Sequence, residues 1–248
     1  MNICRYYSIV FLILLLAWGC TSNQQADSKS LKKNLLPPAS NGEYYQEIGK
    51  NIGLDFTHSL GAEEMTNIIE SVGGGAAFLD FDKDGYIDIF VCSGTWIEGF
   101  SKSEKPGELP TNHLYRNQQN GTFEDVTKKA GIDKQMYSMG ITIGDFNNDG
   151  FPDIYLSNYG ENMLYENKGN GTFADVTKRA NVAGGNLCSV GAVWLDYDND
   201  GLLDLYVGNY LTFDPDYKYY YAPDGFPGPL AYDSQPDVLY HNRGNGVF

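Results

Sequence analysis

The sequence predicts an all-β protein, a β-propeller of four-stranded antiparallel blades, and repeated motifs are the basis of this prediction. An acidic phrase, DFDKDGYID in its first copy, occurs at Asp80, Asp145 and Asp196. A second phrase, built from LYxN, NGTF and DVT, occurs from Leu114 and Leu164 and begins again at Leu239. Between these phrases lie short apolar runs rich in β-branched and aromatic residues, which are typical of strands.

The repeat period is near 50 residues, and insertions lengthen it in places. Successive acidic phrases are 65 and 51 residues apart, and the asparagines of LYxN (Asn117, Asn167 and Asn242) are 50 and 75 residues apart. Such a period indicates a propeller or a repeat array. Closed propellers have about 4 to 8 blades. Because only about three blades fit here, we expect the ring to be incomplete and the chain to be an N-terminal portion of a longer protein.

The N-terminal residues predict export. The apolar run 9–17 lies behind Arg5, is too short to span a bilayer and has the length of a signal-peptide core. The run ends in AWGC, which is similar to a bacterial lipobox, so we expect Cys20 to be lipidated; ordinary signal cleavage is the alternative. The expected segments are a signal peptide at 1–19, a flexible tether at 20–43 and propeller repeats at 44–248.

Each repeat unit is predicted to contain four strands and no convincing helix. In the second unit the strands are GITIGDF, FPDIYLSN, NMLYEN and TFADVT. Asn-Gly pairs at 120–121, 170–171 and 245–246 predict type I′ hairpin turns, in which both central residues adopt a positive φ. A degenerate earlier copy, YQEIGKNIGL from Tyr45, aligns without gaps with FEDVTKKAGI from Phe123 and predicts a strand ahead of the first unit.

The acidic phrase has the pattern of a calcium loop. Oxygen ligands at positions 1, 3, 5 and 9, a backbone carbonyl at position 7 and a glycine at position 6 suit a hard cation. Turn formation alone would not require carboxylates on alternating positions. We therefore expect about three structural calcium ions. The predicted ligands are Asp80, Asp82, Asp84, Tyr86 and Asp88 in the first loop; Asp145, Asn147, Asp149, Phe151 and Asp153 in the second; and Asp196, Asp198, Asp200, Leu202 and Asp204 in the third.

The net charge is −15, and eleven of the 32 acidic residues lie in the three loops. An acidic surface repels phosphate groups, so nucleic acid and anionic membranes are not expected as partners. The only expected contact with a membrane is through the lipid on Cys20.

Cysteine and histidine usage gives no catalytic pattern. Cys92 and Cys188 each flank an apolar run, so either a disulfide or two buried free thiols would fit. The only histidines are His58, His113 and His241, and other repeat units carry different residues where the last two stand. Such variable positions are expected to be surface or inter-blade filler. No catalytic residue is predicted.

The insertion between Tyr210 and Pro236 is the best candidate for ligand recognition. Its aromatic residues alternate with aspartates, a combination that suits sugar rings, and loops on a rigid scaffold often carry binding sites. An ordered loop that packs on its own blade is the alternative. The candidate ligand residues are Tyr210, Phe213, Tyr217, Tyr219, Tyr220, Tyr221 and Tyr232.

These motifs, together with a Gly-x-x-x-x-Asp lead-in at Gly75, Gly140 and Gly191, give the chain from Tyr45 to Phe248 a family resemblance. It resembles the FG-GAP/VCBS-repeat β-propellers, most closely the branch related to cartilage acidic protein, whose bacterial members often end in an ASPIC/UnbV domain. The resemblance implies structural calcium held in a β-hairpin, and an ASPIC/UnbV domain, if present, beyond residue 248.

The sequence therefore predicts a calcium-stabilised propeller that is exported to the bacterial cell envelope. An outer-membrane lipoprotein is expected, with a secreted or periplasmic protein as the alternative. Its expected role is a binding or adhesion module for glycan or extracellular protein ligands, not an enzyme. The alternative is the propeller scaffold of a polysaccharide-processing enzyme whose catalytic groups lie downstream.

Overall fold

The computed structural model describes residues 46–62, 65–101, 104–105, 107–216 and 226–248. Residues 47–248 form one compact unit. The predicted signal peptide and tether, with Cys20, lie outside the described residues, as do Tyr217, Tyr219, Tyr220 and Tyr221. Within the described part of the chain, no helix has the length and apolar character needed to cross a membrane.

The described strands form three antiparallel sheets. The first sheet contains β1 (Ala76–Leu79), β2 (Asp88–Val91), β3 (His113–Asn117) and β4 (Phe123–Asp125), and each strand pairs with the next. The second contains β5 (Tyr137–Gly144), β6 (Asp153–Tyr159), β7 (Met163–Asn167) and β8 (Phe173–Asp175) in the same order. The third contains β9 (Ser189–Leu195), β10 (Asp204–Asn209) and β11 (Val238–Tyr240). The predicted all-β fold of antiparallel sheets is confirmed, with four strands in each of the first two units.

Neighbouring sheets pack face to face, and successive residues of a strand contribute to opposite interfaces. In β6, Ile154 and Leu156 join Phe90 in the core between the first two sheets. Tyr155, which lies between them in sequence, joins Leu205 in the core between the second and third sheets. Each of these side chains is fully buried. The second sheet therefore buries both faces, as expected for a propeller-like stack of blades.

The first strands of the three sheets, β1, β5 and β9, approach one another closely at the lead-in glycines. A Cβ atom on Gly75 would lie 3.1 Å from the Cα atom of Gly140. A Cβ atom on Gly140 would lie 2.6 Å from Ser157 Oγ and 3.3 Å from the Cα atom of Gly191. Glycine recurs at this position because the strand backbones leave no room for a side chain at Gly140 and little at Gly75.

Two single-turn α-helices follow the last strands of the first two sheets, α1 (Thr127–Ala130) and α2 (Thr177–Ala180). The Oδ1 atom of Asp125 accepts a hydrogen bond from the Thr127 N–H at 3.0 Å, and Thr127 Oγ1 accepts one from the Leu114 N–H at 2.9 Å. The second unit repeats both bonds. The Asp of the DVT motif thus binds the first N–H of a helical turn, and its Thr ties that turn to the third strand of the sheet. The expectation of no helix is wrong in this detail.

Further short 3-10 helices span Gly49–Ile52, Ile69–Ser71 and Pro229–Ala231. The first of these supports the degenerate copy near Tyr45. Its helical turn ends at Gly53, with a φ of 87°, just as α1 ends at Gly131, with a φ of 76°. Residues 46–48 form no strand, and the residues before them lie outside the described range.

The hairpins at the first two NGTF motifs differ from the predicted type I′ turns. Positive φ values occur at Gln119 and Gly121 in the first unit, not at Asn120, and the second unit has the same pattern. Asn120 instead accepts hydrogen bonds on its Oδ1 atom from the N–H and the hydroxyl of Thr122, at 2.9 and 2.6 Å. The asparagine therefore closes a longer turn with its side chain. In the third copy Asn245 and Gly246 do both have positive φ values.

The acidic loops and the long insertions lie at opposite ends of the strands. Each acidic loop joins the first two strands of a sheet, whereas the insertions follow the far ends of β2 and β10. The insertions contribute to an apolar group that we call the insertion cluster, whose buried members are Ile68, Ile69, Phe100, Tyr137, Met139, Cys188 and Leu211. Any metal site and any insertion-borne ligand site would thus occupy different faces of the fold.

Candidate metal centres

The three acidic loops share one backbone conformation. Position 4 has a positive φ in every loop, at Lys83, Asn148 and Asn199, with values of 56°, 55° and 60°. The glycine at position 6 has φ values of 85° to 88°. A left-handed conformation at position 6 favours glycine because it has no Cβ atom. The repeated sequence therefore encodes a repeated turn.

The first aspartate of each loop shapes this turn through both carboxylate oxygens. Asp80 Oδ1 accepts from the Asp84 N–H at 3.1 Å, and its Oδ2 atom accepts from the Gly85 N–H at 3.0 Å. Asp145 and Asp196 make the equivalent pairs of bonds, at distances between 2.7 and 3.1 Å. The loop backbone thus holds its first carboxylate in place.

The last aspartate of each loop is fully buried and joins the loop to the third strand of its sheet. In the first loop Asp88 Oδ2 accepts from the Phe81 N–H at 3.1 Å, and Asp88 Oδ1 accepts from the Asn117 N–H at 2.8 Å. Asp153 and Asp204 make the same two contacts in their own units. Position 9 is therefore a structural clamp as well as a predicted ligand.

Burial of these clamps alters their acidity. Loss of solvation raises the pKa of Asp88 to about 6, and the nearby carboxylates of Asp82 and Asp84 add to the increase. Burial likewise raises the pKa of Asp153 to about 7, with contributions from Asp149 and Asp145. Both shifts arise because ionised carboxylates are crowded together in a poorly solvated place. A bound cation would relieve this crowding.

The carboxylates converge closely enough to share one ion. Single oxygens of Asp80, Asp82 and Asp88 all lie within 4.8 Å of one another, and the same holds for Asp196, Asp198 and Asp200. Calcium–oxygen distances of about 2.3 to 2.6 Å allow ligands on opposite sides of one ion to be about 5 Å apart. The Oδ1 atom of Asp82 is buried and has no hydrogen-bond partner among the described residues. The first loop therefore fits a hard cation.

The second loop provides fewer charges, because Asn147 stands at position 3. Its Nδ2 atom donates to Asp149 Oδ2 at 3.0 Å, and its Oδ1 atom accepts from the Asp149 N–H at 3.1 Å. At position 7, no hydrogen bond in the described part of the chain is donated to the carbonyl of Tyr86, Phe151 or Leu202. The predicted oxygen donors are thus present in every loop, and the second loop has the lowest negative charge.

One repeat position that we expected to be surface or inter-blade filler lies against the acidic loops instead. The residue between Tyr and Asn of LYxN is Arg116 in the first unit, Glu166 in the second and His241 in the third. Arg116 forms ion pairs with Asp82 and Asp84, at 2.5 and 2.8 Å. His241 Nδ1 lies 3.2 Å from Asp204 Oδ1 and 3.6 Å from Asp198 Oδ2. The expectation of filler is wrong for Arg116 and His241.

The asparagine of LYxN links the second and third units to the acidic loop of the unit before. Asn167 Nδ2 donates to the backbone carbonyl of Phe81 at 2.8 Å, and Asn242 Nδ2 donates to that of Phe146 at 2.9 Å. Each acceptor is the residue at position 2 of the acidic loop in the preceding unit. Sequence analysis missed this role, although a polar residue repeated within an apolar strand was the available signal.

The acidic loops also touch one another directly. Lys83 Nζ lies 4.6 Å from the ring centre of Phe151 in the next loop, and Asn148 Nδ2 donates to the Gly201 carbonyl at 3.0 Å. Position 4 of one loop thus contacts position 6 or 7 of the next. Consecutive candidate metal centres are therefore connected through short contacts.

The described candidate ligand residues of the insertion are packed rather than free. Phe213 lies against Phe100 and Tyr232, with ring centres 5.4 and 5.8 Å apart. Tyr210, Phe213 and Tyr232 all pack against the insertion cluster. For these residues the contacts agree with the packing alternative. Tyr217, Tyr219, Tyr220 and Tyr221 lie outside the described residues.

The two cysteines belong to different apolar clusters, and the three histidines have different local partners. Cys92 and Cys188 are both buried free thiols and belong to different apolar clusters, so of the two alternatives the unpaired one holds. His113 Nδ1 pairs with Asp125 at 2.6 Å, His58 lies 3.4 Å from the Cys92 carbonyl, and His241 contacts the third loop. Each histidine thus has a different local partner.

Comparison with known proteins identifies the family. The FG-GAP-like repeat family matches residues 80–156 and 145–207, which together cover about half of the chain, and each match begins at the first aspartate of an acidic loop. The chain belongs to the FG-GAP-like repeat family. The chain is also similar to Cartilage acidic protein 1 of Mus musculus, with 43% identity over 49 residues. That match covers 19% of this chain and only 8% of the mouse protein.

Proposed function

We propose that this protein is an exported, calcium-stabilised propeller-like module that binds glycan or protein ligands. The observation that carries the proposal is the convergence of carboxylates in loops of one shared conformation, together with the buried, unpartnered Oδ1 atom of Asp82. Membership of the FG-GAP-like repeat family supports an extracellular, propeller-like role for these repeats.

Calcium would be held by the oxygens at positions 1, 3, 5 and 9 of each loop and by the carbonyl at position 7. When bound, the ion would supply the positive charge that crowded carboxylates lack. The chain itself prepares the site, since backbone N–H groups orient the first and last aspartates. Because a filled oxygen shell leaves no open position, the ion's proposed role is structural rather than catalytic.

The test of the calcium role is thermal unfolding with and without calcium. Chelation should lower the melting temperature by many degrees, because it restores repulsion among eleven loop carboxylates. Asp84→Ala and Asp149→Ala should each reproduce part of this loss and respond less to calcium. Asp55→Asn is the control, since Asp55 is exposed and pairs with Lys50 at the surface. If excess chelator leaves the melting temperature unchanged, the proposal is refuted.

We also propose that Cys20 carries a lipid that attaches the module to a bacterial outer membrane. The support is the lipobox-like AWGC at the end of the apolar run, followed by a polar segment. Cys20→Ser should release the protein from the membrane fraction, and mass spectrometry of the wild type should find an acylated Cys20. Continued sedimentation of the variant with membranes, or cleavage at another residue, would contradict this.

For ligand recognition we propose the tyrosine-rich part of the second insertion. Replacement of Tyr219, Tyr220 and Tyr221 by Ala should abolish ligand binding on a glycan or protein array, because each aromatic stacking interaction with the ligand contributes about 0.5 to 1.5 kcal/mol. The melting temperature should not change. Phe213→Ala is the contrasting variant, because it removes packing against Phe100 and should lower the melting temperature. Unchanged binding by a folded triple variant would locate the ligand surface elsewhere.

A further inference from the structure

The first acidic loop contains a cation supplied by the protein itself. The Nε atom of Arg116 donates to Asp82 Oδ2 at 2.5 Å, and its Nη2 atom donates to Asp84 Oδ2 at 2.8 Å. Arg116 lies on β3, the strand whose end is clamped to the loop by Asp88. The guanidinium therefore engages two of the carboxylates that calcium would need.

Within the part of the chain that the structure describes, neither of the other two loops receives two such hydrogen bonds from one cationic side chain. In the second unit Glu166 stands at this position and pairs with Lys168 at 3.0 Å and Arg179 at 2.8 Å. Among the described residues, no Lys, Arg or His side chain forms an ion pair with Asp145, Asp149 or Asp153. In the third unit His241 approaches two loop aspartates through a single ring nitrogen. The three loops thus differ in charge at one repeated position.

Asp84 has further hydrogen-bond partners beside Arg116. Its Oδ2 atom accepts a hydrogen bond from the Gln119 side chain at 3.0 Å, and its Oδ1 atom accepts one from the Tyr86 N–H at 2.9 Å. Asp82 keeps its other oxygen, Oδ1, buried and without a hydrogen-bond partner among the described residues.

We propose that Arg116 is a resident counter-ion of the first loop, which holds Asp82 and Asp84 in place without calcium and competes with calcium for them. This inference rests on the proposed calcium function. The guanidinium satisfies part of the negative charge that attracts a divalent ion, and it repels that ion at short range. The first loop therefore keeps its conformation at calcium concentrations at which the other loops lose their ions, and the repeats respond to calcium in a graded way.

The inference predicts two effects of opposite sign when the charge is removed. In Arg116→Gln the calcium-free protein should melt at a lower temperature, because Asp80, Asp82, Asp84 and Asp88 lose their counter-ion. One calcium-binding step should nevertheless become tighter by roughly tenfold, because the competing charge is gone. A purely structural arginine would produce the first effect without the second. Isothermal titration with calcium and thermal melting of the same samples provide both measurements.

Three further variants test whether loss of the Arg116 charge causes the tighter calcium binding. Arg116→Lys keeps the charge and should keep an affinity close to that of the wild type. Arg179→Gln removes a cation that bonds Glu166 rather than a loop, and its calcium affinity should not change. Adding Asp84→Asn to Arg116→Gln should abolish the tightened step, which assigns that step to the first loop.

The outcomes separate this inference from the calcium function. If the wild type binds no calcium, both are wrong. If the wild type binds calcium and Arg116→Gln binds it no more tightly, only the counter-ion role is overturned. Equal tightening in Arg116→Lys would also overturn it, since charge would not be the cause. If Arg116→Gln folds only in the presence of calcium, the calcium concentration at which half of the variant is folded can be compared with that of the wild type.

Discussion

The side-chain amide of Asn167 donates a hydrogen bond to the backbone carbonyl of Phe81, 86 residues earlier in the chain, at 2.8 Å. The same Nδ2 atom donates to the Pro152 carbonyl at 3.1 Å, and Asn167 is almost fully buried. Asn167→Ala leaves both carbonyls without this donor inside the protein. We expect the free energy of unfolding, measured by chemical denaturation, to fall by roughly 2 to 3 kcal/mol.

Asn117→Ala is the matched control for this prediction. Asn117 holds the same repeat position, but among the described residues its Nδ2 atom donates only to the Ile87 carbonyl of its own unit, at 3.1 Å in an exposed setting. Its loss should cost less than about 1 kcal/mol, since water can replace the donor. Asn242→Ala, which removes the bond to Phe146, should resemble Asn167→Ala. Equal losses in Asn117→Ala and Asn167→Ala would contradict the inter-unit role.

The lead-in glycines offer a second matched pair. A Cβ atom on Gly140 would lie 2.6 Å from Ser157 Oγ and 2.9 Å from the Val190 carbonyl, whereas one on Gly191 would have nothing within 4 Å. Gly140→Ala must therefore push two strands apart and should destabilise the fold by about 1 to 3 kcal/mol or more. Gly191→Ala should cost less than half as much. Similar melting temperatures for the two variants would show that strand proximity is not the reason for the glycine.

The sequence was sufficient to predict the elements that depend on short-range interactions. The acidic loops combine fixed positions for oxygen ligands with a glycine at position 6, and the structure gives all three the same positive φ values. The β6 strand was readable because Ile154, Tyr155 and Leu156 form an apolar run of strand length, which fits burial of both faces. Short-range chemistry and periodicity fix such features.

Other features depend on which units become neighbours, and no local pattern contains that information. The bond from Asn167 to Phe81 exists only because two sheets stack. Arg116 reaches its loop only because β3 ends beside Asp88, so the variable position looked unimportant in a sequence comparison of units. The helical turns at the DVT motifs span four residues, too few for a helical period to be visible. In the first NGTF turn, the Asn120 side chain accepts the Thr122 N–H, and the backbone does not form the expected type I′ turn.

The two buried thiols provide a third prediction. Burial raises the pKa of both Cys92 and Cys188 to about 12, so neither forms an appreciable thiolate at neutral pH. In a background carrying Cys4→Ser and Cys20→Ser, a thiol reagent should label no cysteine in the native protein and both in denaturant. Non-reducing electrophoresis should show no internal disulfide. Rapid labelling of the native protein would mean that one of the clusters is open to solvent.

The last prediction concerns pH, and it follows from the buried clamps of the acidic loops. The pKa of Asp88 is about 6 and that of Asp153 is about 7, both above the ordinary value of 3.8. The folded state therefore binds more protons than the unfolded state between these limits, and stability is lost as pH rises through the folded-state values. We expect the calcium-free protein to be more stable near pH 5 than at about pH 7.5, by on the order of 2 to 4 kcal/mol.

Saturating calcium and a single variant are the controls for this pH effect. Calcium favours the ionised carboxylates, so adding it should flatten or reverse the dependence between about pH 5 and 7.5. Asp237→Asn should leave the dependence of the calcium-free protein unchanged. Asp237 lies outside the loops, and its hydrogen bonds from Tyr206 and the Asn209 N–H lower its pKa, so it is already ionised throughout this range. Denaturation of metal-stripped protein at several pH values makes the measurement. A calcium-free stability that rises from pH 5 to 7.5 would contradict the assignment, because the clamps would then be more stable ionised than protonated.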